Sequence, residues 1–253
     1  MTEVTAEITK SRGTYHVIDE IPRNSLDKPI VAKARNGIIA FGTDEGGRKP
    51  PNEDRIYINT KANVFASIDG MGGMGNGGRA AQILAQEIQR GVREKSTVQR
   101  MTSNASDRMA SEGIKKGGAC YIFGHIRENV LNVFQAGDVK LVVIDGRGNV
   151  RFTTKDEGIG NKVFNSVQGI DSGEITKSKV RLNIDDKIVV ASDGLWDNYS
   201  PQQIAKYVYN KDVKQAINGI NKSVKNLMKS GRGKCDNINV IIYDFKRFTH
   251  SPR

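Results

Sequence analysis

Two aspartates, each placed between an apolar run and a glycine, have the pattern best suited to chemistry in this chain. Asp69 follows the run Val-Phe-Ala-Ser-Ile at residues 64–68, and Asp193 follows Ile-Val-Val-Ala-Ser at residues 188–192. Short runs of small and β-branched residues predict buried strands, and the following glycine lets the backbone come close to a ligand. The repeated pattern therefore predicts two carboxylates at one edge of a sheet and, with them, a metal site.

Further acidic residues at turns and strand ends enlarge this candidate set. Each member lies beside a glycine, an asparagine or the end of an apolar run: Glu53, Asp54, Asp69, Asp138, Asp193 and Asp236. Mg²⁺ and Mn²⁺ prefer carboxylate, carbonyl and water oxygens, whereas zinc usually takes histidine or cysteine. The three histidines, His16, His125 and His250, are not spaced as metal ligands. The residue types therefore predict two Mn²⁺ or Mg²⁺ ions held by oxygen atoms.

Each acidic residue, taken alone, also fits an ordinary structural role. A solvated turn would accommodate Glu53 and Asp54, and the other members fit β-turns, Asx-turns or helix N-caps. The metal interpretation therefore depends on the combination of residues and not on any one of them.

The glycines after Asp69 allow a competing interpretation. Residues 70–75 read Gly-Met-Gly-Gly-Met-Gly, and a GxGxxG pattern after a strand and before a helix is typical of dinucleotide-binding modules. That fold requires alternating strands and helices. The region after residue 117 is instead a series of strands joined by short turns, which disfavours a dinucleotide-binding module.

Hydrophobic periodicity predicts the elements that must position the carboxylates. Apolar residues at helical spacing predict helices over residues 78–95, 98–112 and 212–229, and Ser200 followed by Pro201 predicts the start of another. Strands are predicted at residues 37–44, 56–58, 64–68, 119–126, 130–136, 140–144, 150–154, 187–191 and 238–245, with another near 15–18. Residues 158–178 are predicted to form a surface flap. Because strands and helices do not alternate regularly, the order predicts a layered α+β sandwich.

Length and charge limit the remaining possibilities. The 253 residues suit one domain, with an N-terminal extension packed on it at residues 1–35, the main domain at 36–246 and a polar tail at 247–253. The net charge of +11 favours anionic partners, but the lysines and arginines are scattered, which disfavours specific nucleic-acid binding. With no membrane-length apolar run and no signal peptide, we expect a cytoplasmic monomer that does not bind membranes.

Five short motifs, in this order, resemble those of the metal-dependent type 2C protein phosphatases, in particular bacterial members: Asn52-Glu53-Asp54, Asp69-Gly70-Met71-Gly72-Gly73, Gly137-Asp138, Ser192-Asp193-Gly194-Leu195-Trp196-Asp197 and Asp236-Asn237. The resemblance spans about residues 37–245. It implies a four-layer α-β-β-α sandwich with two central, mainly antiparallel β-sheets flanked by helix pairs. It also implies hydrolysis of phosphoserine and phosphothreonine in proteins, in opposition to a serine/threonine kinase.

The resemblance assigns metal-binding roles to the acidic residues. Asp69 would bridge two metal ions, with Glu53 and the backbone carbonyl of Gly70 holding one ion and Asp193 and Asp236 the other. The two ions would lower the pKa of a bridging water, and the resulting hydroxide would attack phosphorus. Asp69 and Asp193 are thus the implied catalytic carboxylates.

Three further positions complete the implied site. Asp138, together with Asp193, matches the place of a third and weaker metal. Asp54 would orient metal-bound water from behind the ligands, and Asn237 lies beside Asp236 in a similar supporting position.

The phosphate-binding position departs from the family pattern. Relatives usually have an arginine four residues before the glutamate, where this chain has Lys49 with Arg48 beside it. Lysine supplies charge without the bidentate fork of arginine. We expect Lys49 and Arg48 to bind phosphate. The lysine also leaves a non-catalytic phosphoprotein-binding or regulatory module on the same scaffold as an alternative.

Overall fold

Two antiparallel β-sheets lie face to face in the computed structural model, which describes residues 25–48, 51–72, 76–114, 116–159, 162–163 and 165–246. In chain order, the strands are β1 (Ile30–Ala34), β2 (Gly37–Asp44), β3 (Arg55–Asn59), β4 (Val64–Met71), β5 (Gly118–Arg127), β6 (Val130–Ala136), β7 (Lys140–Ile144), β8 (Val150–Thr153), β9 (Gly158–Ile159), β10 (Lys162–Val163), β11 (Val167–Gln168), β12 (Thr176–Arg181), β13 (Lys187–Ala191) and β14 (Ile238–Phe245). The first sheet has the order β1-β2-β14-β13-β7-β8. The second has the order β12-β6-β5-β4-β3, with β11 paired to β5, and β9 and β10 form a separate ribbon.

Helices cover the outer face of each sheet. They are α1 (Asn76–Glu94), α2 (Val98–Ser111), α3 (Asp193–Trp196), α4 (Pro201–Val208) and α5 (Val213–Lys229), preceded by a short 3-10 helix at Ser25–Asp27. Apolar side chains of α1 and α2 pack on the second sheet, and those of α4 and α5 pack on the first. A third apolar cluster, which includes Phe41, Phe65 and Leu141, fills the space between the sheets. The predicted α-β-β-α sandwich is therefore confirmed.

Strand β14 matches its predicted position because it is buried on both faces. All eight residues of β14 are buried, since the strand pairs with β2 and β13 and lies between two apolar layers. A strand in this position reads as a nearly continuous apolar run. The predicted bounds of β2, β6, β7, β13 and β14 agree with the structure.

Helix starts also follow the predicted signals. The Ser200 side chain accepts a hydrogen bond from the Gln203 backbone, and the Gln203 side chain accepts one from the Ser200 backbone, so the two form a capping box before Pro201. Asp212 caps α5 by accepting from the backbone N–H of Gln215. Both caps satisfy backbone donors that the first helical turn leaves unpaired.

Some elements differ from the prediction. Residues 158–178 contain short strands and the beginning of β12 where a flap was predicted, and β1 and β12 were not predicted. The strand predicted near residues 15–18 lies outside the described residues. None of the helices in the described part of the chain combines the length and apolar character needed to cross a membrane.

Candidate metal centre

Strand ends bring the predicted acidic residues to one edge of the sandwich. Asp69 lies near the end of β4, opposite Cys120 of β5, and Asp138 follows β6. Asp193 begins α3 directly after β13, and Asp236 precedes β14. Neighbouring strands run antiparallel, so the end of one lies beside the beginning of the next. The fold therefore collects carboxylates from both sheets.

The two Asp-Gly motifs need glycine because the backbone of another segment packs against each. A side-chain carbon at Gly70 would lie 2.7 Å from the carbonyl oxygen of Glu53 and 2.4 Å from that of Gly77. One at Gly194 would lie 2.1 Å from the carbonyl oxygen of Asn237. Each glycine thus lets an acidic segment, before β3 or before β14, reach the end of β4 or β13.

Burial and mutual repulsion disfavour charge on the central carboxylates. Burial raises the pKa of Asp69 well above its ordinary value, and the charges of Asp54 and Asp193 raise it further. The pKa of Asp193 is raised to about 7, first by burial and then by the charges of Asp236 and Asp138. Like charges raise a carboxyl pKa when they are close, so these five aspartates share one acidic crevice.

Asp54 lies behind the crevice and is only 3% exposed. Its pKa is raised to about 8, first by burial and then by the charges of Asp193 and Asp236. A hydrogen bond donated by Ser192 Oγ to Asp54 Oδ2, at 2.7 Å, acts in the opposite direction. Since Ser192 directly precedes Asp193, this bond ties Asp54 to the segment that carries Asp193.

Asn237 holds the segment that carries Glu53. Its Oδ1 accepts a hydrogen bond from the Glu53 backbone N–H at 3.0 Å, and its Nδ2 donates to the Glu45 carbonyl at 3.1 Å. The Glu53 side chain is buried, and its Oε1 accepts from the Gly78 backbone N–H at 3.2 Å. Glu53 is therefore fixed between the loop before β14 and the beginning of α1.

Asp138 faces the buried thiol of Cys120. Burial raises the pKa of Asp138, and its interaction with the Cys120 thiol lowers it again in part. The pKa of Cys120 itself is raised well above its ordinary value by burial and by the charges of Asp138 and Asp69. A nucleophilic cysteine needs a lowered pKa, so Cys120 is not suited to attack phosphorus.

Arg48 lies at the mouth of the crevice. Its Nη1 is 2.6 Å from Asp236 Oδ1, and this hydrogen bond raises the pKa of Arg48, as do the charges of Glu53 and Asp69. The guanidinium is about half exposed and thus open to solvent. Lys49, the other predicted phosphate-binding residue, lies outside the described residues.

A model of the protein phosphatase 2C family matches residues 41–223. The chain belongs to the protein phosphatase 2C family. Among curated relatives, the probable protein phosphatase 2C BIPP2C1 of Oryza sativa subsp. japonica is 23% identical over 77% of this chain, and the probable protein phosphatase 2C 25 of Arabidopsis thaliana is 24% identical over 80%. The chain spans only 37% of the rice protein and 63% of the Arabidopsis protein.

Solved bacterial structures share the fold of this phosphatase 2C family member. PppA, a key regulatory component of T6SS in Pseudomonas aeruginosa, is 18% identical with a TM-score of 0.72, and the match covers 85% of this chain and 99% of PppA. The Mycobacterium tuberculosis serine/threonine phosphatase PstP/Ppp is 20% identical with a TM-score of 0.71, covering 83% and 98%. A similar structure of the PstP catalytic domain, with a TM-score of 0.70 and 19% identity, contains 2 manganese ions and covers 82% and 97%.

The donor set of this phosphatase 2C chain fits hard divalent cations. It offers carboxylate oxygens, and Asp138 Oδ1 is buried and has no hydrogen-bond partner among the described residues. In the described part of the chain, no three acidic, histidine or cysteine side chains close around a common point. A bound divalent cation would offset the repulsion among these carboxylates.

Three residues that support the site were not among the site residues predicted from the sequence. Ser67, Ser192 and Asn239 are fully buried polar residues that hydrogen bond to one another near the crevice. The available signal was a polar residue inside a run that otherwise predicts a buried strand, because a buried polar group needs a partner. Only the fold shows that the three partners meet.

The raised carboxyl pKa values predict that the metal-free protein loses stability as the pH rises. With pKa values of about 7 for Asp193 and about 8 for Asp54, the folded protein retains protons that the unfolded chain releases above about pH 4. The free energy of unfolding therefore falls between about pH 4 and pH 8. We expect the Tm measured by calorimetry in EDTA to fall over this interval.

The variant Asp193→Asn removes one titrating group and should have a higher Tm than the wild type at about pH 8 in EDTA. Asp107→Asn, at an exposed position of α2, is the matched control and should leave the pH dependence unchanged. A wild-type Tm that climbs steadily towards pH 8 would contradict this electrostatic account.

Proposed function

We propose that this chain hydrolyses phosphoserine and phosphothreonine in proteins with two divalent cations, Mn²⁺ or Mg²⁺. The observation that carries the proposal is the convergence of aspartates from both sheets into one crevice where burial and repulsion raise their pKa values. Family membership supports the reaction class, and the manganese ions in the PstP structure support the type of cation.

The cations would be held by the residues that the crevice brings together. Asp69, Glu53, Asp193 and Asp236 would hold the two ions through their carboxylates, and Gly70 would contribute its backbone carbonyl. Asp138, whose buried Oδ1 has no hydrogen-bond partner in the described part of the chain, would contribute with Asp193 to a third and weaker site. Bound divalent cations would activate a water molecule for attack and offset charge on the phosphoryl oxygens.

The surrounding residues would orient the acidic side chains and disfavour a covalent intermediate on the protein. The Ser192 hydroxyl donates to Asp54 Oδ2, which keeps this buried carboxylate directed at the rear of the crevice. The supporting role of Asn237 follows from its bonds to the Glu53 and Glu45 backbones. The raised pKa of the Cys120 thiol favours attack by water over a covalent intermediate on the protein.

Arg48 would bind a phosphate oxygen of the substrate. Its guanidinium already pairs with Asp236 at the mouth of the crevice and is open to solvent. A guanidinium can offer two parallel N–H donors to a phosphate. Lys49 stays a predicted second phosphate ligand. Opposition to a serine/threonine kinase, a cytoplasmic location and a monomeric state also remain predictions.

Replacement of Asp193 tests the metal-dependent reaction. With Mn²⁺ and a phosphothreonine peptide, Asp193→Ala should lose about 10²-fold or more in turnover, because a metal-binding carboxylate supports several kcal/mol of transition-state stabilisation. Phosphate release is the measurement, and Asp107→Asn should retain wild-type activity. Undiminished Mn²⁺-dependent turnover in Asp193→Ala would reject the site. Tight phosphopeptide binding by a wild type that releases no phosphate would favour the regulatory-module alternative.

Replacement of Arg48 tests phosphate binding. Loss of its charge-assisted hydrogen bonds in Arg48→Ala should raise KM for the phosphopeptide by about tenfold or more. Arg48→Lys should fall between Arg48→Ala and the wild type, since lysine keeps charge but not the fork. Arg147→Ala, in the exposed turn between β7 and β8, is the control. An unchanged KM in Arg48→Ala would remove Arg48 from the substrate site.

A further inference from the structure

Asn239 is a fully buried polar residue in the otherwise mostly apolar strand β14. Its Oδ1 accepts hydrogen bonds from Ser67 Oγ at 2.6 Å and from the Ser192 backbone N–H at 3.0 Å. Its Nδ2 donates to the Ile68 carbonyl at 3.3 Å. Both ends of the amide therefore have partners, as a buried amide requires.

These bonds connect the two sheets directly beside the acidic crevice. Ser67 and Ile68 belong to β4 of the second sheet and immediately precede Asp69. Ser192 follows β13 of the first sheet and immediately precedes Asp193. One side chain thus binds the backbone leading to Asp69 and the backbone leading to Asp193.

The backbone of Asn239 extends the same network to a third acidic segment. Its N–H donates to Ser192 Oγ at 3.0 Å, and Ser192 Oγ donates in turn to Asp54 Oδ2 at 2.7 Å. The same hydroxyl also lies 3.4 Å from the Asn237 carbonyl oxygen, so Ser192 Oγ joins the Asn239 backbone to the Asp54 and Asn237 segments. Such chains of buried hydrogen bonds reinforce one another and fix a single arrangement.

We propose that Asn239 is a positioning residue that fixes the separation of Asp69 and Asp193 and hence the geometry of the divalent-cation site. This inference rests on the proposed function, but it concerns cation binding and not the hydrolytic step. Asn239 acts through the Ser67 hydroxyl and through the backbones of Ile68 and Ser192. Residues that orient metal ligands in this way typically change metal affinity by about 10- to 100-fold when replaced.

A second asparagine offers a matched control at the other end of the same sheets. Asn63 is also buried, and its Oδ1 accepts from the Tyr243 hydroxyl at 2.6 Å, while its Nδ2 donates to the Ile126 carbonyl at 3.2 Å. Tyr243 belongs to β14 and Ile126 to β5, so Asn63 likewise connects the sheets. Asn63 lies just before the start of β4, whereas Asp69 lies near its end.

The experiment compares Asn239→Ala with Asn63→Ala. Unfolding in urea with EDTA reports stability, and isothermal calorimetry with MnCl₂ in the absence of substrate reports cation affinity. Both variants should lose stability, because each leaves buried groups without partners. Asn239→Ala should raise the Kd for Mn²⁺ by about 10- to 100-fold, and Asn63→Ala should keep it within about twofold of the wild type.

Ser67→Ala provides a milder variant should Asn239→Ala fail to fold. It removes one of the bonds to Asn239 Oδ1 with little change in volume, and it should raise the Mn²⁺ Kd by less than Asn239→Ala does. Equal Kd changes in the Asn239 and Asn63 variants would overturn the positioning role. So would wild-type Kd values in both Asn239→Ala and Ser67→Ala.

The outcome separates this inference from the proposed function. A wild type that binds Mn²⁺ in an Asn239-dependent manner but releases no phosphate would support the positioning role and reject the phosphatase proposal. A wild type that binds no Mn²⁺ would overturn both. Phosphate release with a Kd indifferent to Asn239 would overturn the positioning role alone.

Discussion

Electrostatic repulsion among carboxylates is the constraint on which the site depends. Two ionised groups about 4 Å apart repel by about 4 kcal/mol at the effective dielectric constant of a protein surface. The chain nevertheless places Asp54, Asp69 and Asp193 where burial and neighbouring charge raise their pKa values. Retained protons relieve part of this repulsion, and Arg48 pairs with Asp236 at the mouth. Divalent cations would relieve it further, so an electrostatically unfavourable arrangement would become favourable when cations bind.

The sandwich supplies the rigidity that this arrangement needs. Strands β4, β13 and β14 are largely buried and belong to two sheets with a common apolar core. Their ends can approach because Gly70 and Gly194 have no side chain to meet the neighbouring backbones. The Asn239 amide then joins the two sheets at the same level. The strand ends that carry Asp69 and Asp193 are thus held by apolar packing, by close backbone approach and by a buried hydrogen-bond network.

The elements predicted correctly from the sequence are those whose burial requires a regular pattern of apolar residues. Central strands such as β13 and β14 read as apolar runs, and helices such as α5 show an apolar stripe after a capping residue. The edge strand β12 alternates lysines with threonine and serine at its start, because half of its residues are exposed and, among the described strands, it pairs with β6 alone. A strand held mainly by backbone pairing shows no apolar run in its sequence. The first residues of β12 were therefore included in the predicted flap.

In the candidate site too, residues whose role depends on distant partners could not be predicted from the sequence. Its acidic residues were predicted because each ends a strand or occupies a turn, and their motifs resemble a known family. Asn239 and Ser192 were not predicted, since their role depends on partners from another sheet. The Asp-Gly pattern did predict a close backbone approach, but the approaching groups are the Glu53 and Asn237 segments of the chain itself. The GxGxxG interpretation is wrong, because the described sheets contain antiparallel strands without the alternation a dinucleotide fold requires.

Proton release on cation binding shows whether the acidic side chains of the crevice hold protons before a cation binds. Carboxyls with raised pKa values must give up protons to bind a divalent cation. Calorimetric titration of the wild type with MnCl₂ near neutral pH, in buffers of different ionisation enthalpy, measures the number released. We expect the wild type to release about one proton or more per chain. Binding heats that are the same in every buffer would show that the carboxylates are already ionised, and would contradict this expectation.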